Sequence, residues 1–154
     1  MNSLRAYGQA PFSVAVLHGG PGAAGEMAPV ARHLASSRGV LEPLQTAASL
    51  EGQVEELRAA LEENGDLPVT LIGFSWGAWL GAIFAANYPA YSRKLILVGS
   101  GPFEERYAAR IHQTRLDRLS EAERAEVEAL LEVIDDPEAD DQGVAFERFG
   151  ALFS

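Results

Sequence analysis

The chain has 154 residues, 47% of them apolar, enough for one compact domain with a sizeable core and too few for two ordinary domains. It has no cysteine, which excludes disulfides and thiolate metal sites, and its three histidines, His18, His33 and His112, show no ligand spacing, so no metal is expected. The formal charge of −10 is concentrated late in the chain: residues 1–100 carry 6 basic against 8 acidic side chains, residues 101–154 carry 6 against 14. An acidic surface repels phosphate backbones and argues against nucleic-acid binding. With no signal-peptide pattern and no apolar run of membrane length, the expected compartment is the cytoplasm, without membrane attachment.

In chain order, Phe12 to Leu17 reads as a buried strand that runs into the glycine cluster His18-Gly19-Gly20-Pro21-Gly22. A helix is predicted from Glu26 to Ser36, with Met27, Val30, Ala31 and Leu34 at helical spacing and Gly39 as its stop. Val40 to Leu44 is a weak strand. Ser49 is placed to cap a helix that runs to Glu63, carries Val54, Leu57 and Leu61 as one stripe, and ends at Gly65. Residues 69–73 form the next strand, followed by the turn Gly73-Phe74-Ser75-Trp76-Gly77, a buried helix over 76–87 stopped by Pro89, and a strand over 94–98. Continuous apolar strands alternating with helices indicate a parallel sheet covered on both faces, a three-layer α/β/α fold with right-handed crossovers. Beyond Gly99 the pattern changes to charged amphipathic helices over 104–119 and 121–134, the second opened by the capping box Ser120 and Glu123. A polar loop over 135–143 and a further apolar segment follow.

Two glycine motifs carry the chemistry. Gly20-x-Gly22-x-x-Gly25, after a strand and before a helix, with Glu42 about 20 residues on, has the outline of a dinucleotide fingerprint. Pro21 stiffens a turn whose amides would have to wrap phosphate, and this reading leaves Gly-x-Ser75-x-Gly without a role. The second reading uses both motifs. Ser75 sits where a strand turns sharply into a helix, so that only small flanking residues, Gly73 and Gly77, lift its hydroxyl clear of the sheet. A serine attacking an acyl carbon needs two preorganised N–H donors for the oxyanion, and the backbone N–H groups of Trp76 and Gly20 are the candidates. His18 then orients the glycine loop instead of acting in catalysis. Trp79 reads as ordinary packing.

At these residues the chain resembles the α/β-hydrolase family. His18-Gly19-Gly20-Pro21-Gly22 with Ser75-Trp76-Gly77 is similar to the proline iminopeptidase branch, over about residues 12–103. The resemblance implies hydrolysis of an ester, amide or N-terminal peptide bond through an acyl-enzyme on Ser75, no cofactor, and a small-molecule or short-peptide substrate. It divides the chain into a partial hydrolase core, 1–103, and the start of a helical cap, 104–154. In this fold the acid and the histidine follow the cap, whereas no histidine lies beyond His112 here. The family's first two strands are also expected to be missing. That leaves four parallel strands, in the order of the fourth, third, fifth and sixth strands of the complete fold. Both edges, near Val40–Leu44 and Lys94–Val98, would be unpaired and open to a second copy or a complementing chain. Three functions follow: an incomplete, weakly active serine hydrolase; a complementation partner that obtains the missing strands elsewhere; or a noncatalytic small-molecule binding module.

Overall fold

A computed structural model describes residues 3–20, 23–136 and 139–153. The chain falls into two compact units, Met1–Gly101 and Pro102–Ser154. The first holds strands β1 (Leu4–Tyr7), β2 (Phe12–Leu17), β3 (Gly39–Pro43), β4 (Val69–Phe74) and β5 (Ser92–Val98), with helices α1 (Ala28–Leu34), α2 (Leu50–Asn64) and α3 (Trp76–Asn87). One five-stranded sheet runs in the order β1-β3-β2-β4-β5.

The four expected strands are present and mutually parallel, but the sheet is mixed: β1 adds antiparallel to β3, with Leu4 opposite Pro43 and Tyr7 opposite Val40. The Val40–Leu44 edge is therefore not open. This strand escaped the sequence pattern because Leu-Arg-Ala-Tyr is four residues long and exposes its middle two, leaving no apolar run. Tyr7 and Glu42 fix it in place: the Tyr7 hydroxyl donates to the fully buried Glu42 carboxylate at 2.7 Å, with the Arg5 guanidinium 3.8 Å away. Burial, with the Glu42 bond second, raises the Tyr7 pKa above its usual value.

Each sheet face has its own core. Ala15, Leu17, Leu41, Leu71 and Val69 pack with Val54, Leu57 and Leu61 of α2 and Leu80 and Phe84 of α3. Val14, Val16 and Val40 pack with Met27 and Ala31 of the α1 region. This is the three-layer arrangement expected of strands buried on both faces. Ser49 caps α2, accepting from the Gly52 amide at 3.1 Å. Helix α1 is shorter than its apolar periodicity suggests, since residues 24–27 form turns.

The second unit contains α4 (Glu105–Asp117), α5 (Glu121–Asp135) and α6 (Gln142–Ala151). The Ser120–Glu123 capping box is formed on both sides. Arg148 of α6 grips Glu126 of α5 with two hydrogen bonds of 2.6 and 3.0 Å over buried Val127 and Ala145. Among the described residues no helix is long and apolar enough to cross a membrane.

Helix α3 lies so close to β2 that a β-carbon on Gly77 would collide with the Leu17 carbonyl and stand 2.6 Å from that of His18. Gly77→Ala is expected to lower stability by about 1–3 kcal/mol through overpacking against backbone that cannot yield. Thermal unfolding of the two proteins side by side measures it; an unchanged melting temperature would show that the helix can move away.

Candidate functional site

Strand β4 ends at Phe74 and α3 begins at Trp76, leaving a single residue to turn the chain. Ser75 does so with φ 51° and ψ −114°, and it is the only non-glycine residue with positive φ among those described. A serine in that region is strained, and the surroundings hold it there. Its N–H donates to the Val98 carbonyl at 2.9 Å and its own carbonyl accepts from the Ala78 amide at 3.1 Å. Gly73 is required because a β-carbon there would strike the backbone carbonyl of residue 77. The Ser75 hydroxyl has no hydrogen-bond partner among the described residues.

The loop after β2 is fixed by a short relay. His18 is 2% exposed, and its Nδ1 lies 2.7 Å from the Gly19 carbonyl while its Nε2 lies 3.3 Å from the Gln45 amide nitrogen. A carbonyl can only accept and an amide N–H can only donate, so the ring is the neutral tautomer with its proton on Nδ1. Both ring nitrogens are thus engaged by backbone groups of the loops after β2 and β3. Glu26 completes the relay by accepting the Gly19 N–H at 3.0 Å. Sequence reading placed Glu26 merely at a helix start; a carboxylate seven residues after a glycine gives no periodic signal.

The steric need for glycine falls at Gly19. A β-carbon there would meet Glu26 Oε2 at 2.7 Å, the Phe74 ring at 3.3 Å and Ser75 Cβ at 3.4 Å, whereas one on Gly20 would meet nothing within 4 Å. Gly20 therefore faces open space, and Gly19 lets the loop lie against the serine turn. Gly20 and Trp76 line one cavity of ≈ 200 Å³ with His18, Gln45, Thr46 and Gln53. Neither backbone amide has an acceptor among the described residues. The Trp76 indole N–H is bonded to Gln53 Oε1 at 2.8 Å, tying α3 to α2. Pro21 and Gly22 lie outside the described residues, as does the side chain of His112.

The chain matches the model of the α/β hydrolase fold over residues 13–132. It belongs to the α/β-hydrolase fold family. Solved structures similar to it include a proline iminopeptidase from Mycobacterium smegmatis, with 24% identity, a TM-score of 0.72, and coverage of 95% of this chain and 55% of that one. The thioesterase domain from the curacin biosynthetic pathway shares 26% identity at a TM-score of 0.56, covering 76% of this chain and 47% of that one. An epoxide hydrolase from Bacillus megaterium shares 21% identity at a TM-score of 0.60, covering 96% and 55% respectively. No significant match is found among curated proteins. The chain spans about half the length of these solved structures.

Two outcomes are expected of this site. Glu42 is sealed beneath β1 and engaged by Tyr7, so it is not presented to a ribose; titration calorimetry with NAD should give no binding heat, and a micromolar dissociation constant would restore the dinucleotide reading. The second concerns the cavity wall at Thr46 and Ala47. There Glu56 accepts from both amides, at 2.9 and 3.1 Å, and from the Thr46 hydroxyl at 2.6 Å. Burial opposes ionisation of Glu56, but these bonds prevail and hold its carboxyl below the ordinary 4.5. A lowered pKa stabilises the fold above the unfolded value and loses that contribution as pH falls through the folded one. Exchange of the Thr46 and Ala47 amides, corrected for intrinsic rates, should accelerate below pH 4.5, and Glu56→Gln should reduce the pH dependence.

Proposed function

We propose that this chain carries the nucleophile and oxyanion donors of a serine hydrolase acting on an ester, amide or N-terminal peptide bond. The observation that carries the reading is the strained φ of Ser75 at the sharp junction of β4 and α3, since this conformation exposes a hydroxyl at a sheet's end. In the proposed reaction the Ser75 oxygen attacks the substrate carbonyl and its proton passes to a base. The amides of Gly20 and Trp76 donate to the oxyanion, the leaving group departs with a proton, and water releases the acyl group. His18 and Glu26 hold the loop that supplies the Gly20 donor.

Among the described residues no base is bonded to Ser75. Both ring nitrogens of His18 are bonded to backbone, His33 is exposed on α1, and no histidine among the described residues is bonded to Ser75. The reading therefore includes a complementing segment, bearing the acid and histidine, that pairs with β5. This strand has β4 as its only described neighbour and leaves Ile96, Leu97 and Val98 39–43% exposed. Unpaired apolar edges are association sites, and the similar structures have about as much chain again as this one matches. A second copy on that edge is the competing occupant.

The lone chain should turn over p-nitrophenyl acetate feebly, and Ser75→Ala should change the rate by a small factor, because loss of a triad histidine costs on the order of 10⁶ in turnover. Addition of a segment carrying the acid and histidine should raise turnover and make it depend on Ser75. Vigorous hydrolysis by the lone chain, abolished by Ser75→Ala, would place the base within these residues. A mass twice that of the chain in sedimentation equilibrium at high salt would give the β5 edge to a second copy.

A further inference from the structure

Helix α4 has little support within its own unit. Its 13 residues lie along no other described element, and its C-terminal end carries the attachments: Arg124 Nε donates to the Leu116 carbonyl at 2.8 Å, and the Arg115 guanidinium stands 5.8 Å from the centre of the Phe153 ring. A lone helix of about 12–15 residues is marginal in water, so this one gains from cover. One face shows of what kind. Tyr107, Ile111, Thr114 and Arg118 recur at the spacing that places them in a single line, and Tyr107 and Ile111 are 48% and 41% exposed. Arg106 is paired with Glu104 at 2.7 Å, whereas Arg118 and the neighbouring Arg110 have no acidic partner among the described residues.

Helix α5 presents the converse. Its inner side buries Val127 and ties Glu126 to Arg148, while Glu121, Glu128, Glu132 and Asp135 lie exposed in one line on its outer side, with Ala125 as a low point between the first two. Glu128, Glu132 and Asp135 are four and three residues apart, so they repel along the helix. None of the four has a basic partner among the described residues. The sequence divides its charge in the same way: residues 104–119 carry 4 basic against 3 acidic side chains, residues 120–154 carry 2 against 11. We propose that the second unit docks on a second copy of itself, the α4 face of one chain lying on the outer face of α5 of the other. Both faces are exposed in a single chain, so they do not meet within it. Arg110 and Arg118 face the glutamates, and the bulk of Tyr107 and Ile111 settles at the level of Ala125. A two-fold axis makes both contacts at once and leaves no stripe free, whereas head-to-tail docking would leave one of each and continue. The pairing involves neither Ser75 nor β5.

The test reads mass by sedimentation equilibrium and does not depend on turnover. At low ionic strength the full chain should sediment at twice its own mass, and it should return to the single mass as sodium chloride rises to about 1 M, where charges are screened within a few ångströms. A chain with Arg110→Glu and Arg118→Glu should dissociate about a hundredfold more readily, since like charges then face each other, and so should one with Glu128→Arg and Glu132→Arg. An equimolar mixture of the two should regain the doubled mass, because each α4 then meets an α5 of opposite sign. Ser75→Ala should leave the mass unchanged. The salt titration of the unaltered chain keeps the proposal open to refutation even if a variant fails to fold. A single mass at low salt would overturn it, and so would a doubled mass that survives both high salt and both charge reversals, which would belong to another surface such as the β5 edge. Either result leaves the proposed reaction at Ser75 to its own test.

Discussion

The constraint on which the rest of the site depends is the approach of α3 to the end of β2, where Gly77 lies against the carbonyls of Leu17 and His18 with no side chain between. That contact brings the loop after β2 beside the start of α3, and so places Gly19 against Ser75. It also forces the chain to reverse within one residue. The strain stored at Ser75, on the order of 1–3 kcal/mol for a non-glycine residue in such a region, is held by the Ser75–Val98 bond and by burial of Leu80 and Phe84 on the inner face of α3.

From that contact a chain of hydrogen bonds passes through three loops. Glu26 takes the Gly19 N–H, His18 bridges the Gly19 carbonyl to the Gln45 amide, and Glu56 gathers the amides of Thr46 and Ala47. Each link satisfies a backbone group that would otherwise be partly buried and unpaired. The result is a loop cluster with a fixed shape and a cavity in it. The bonds also engage both ring nitrogens of His18, the histidine of the glycine motif.

The two edges of the sheet differ for a physical reason. On the β3 side, Leu4 and Tyr7 turn inward and the buried Glu42 gives the added strand a polar anchor. On the β5 side, leucine, isoleucine and valine remain 39–43% exposed at Ile96, Leu97 and Val98, a surface that strands of a parallel sheet normally bury on both faces.

Local physics made much of this legible in the sequence. The run of Phe12 to Leu17, the Ser49 cap, the Gly-x-Ser-x-Gly junction and the buried 76–87 helix are all written in residues adjacent along the chain, and the structure bears them out. The strain at Ser75 was foreseeable because Gly73 and Gly77 are useful around a non-glycine residue only if the turn is too tight for side chains. Tertiary placement decided the rest. Leu4–Tyr7 is a strand only because β3 offers it an edge, and Glu26 and Glu56 matter only because folded loops bring backbone amides to them. Periodicity encodes which side of an element is buried, since neighbours share that fate; it carries no information on which distant polar group a side chain will meet, because that depends on how whole elements are packed.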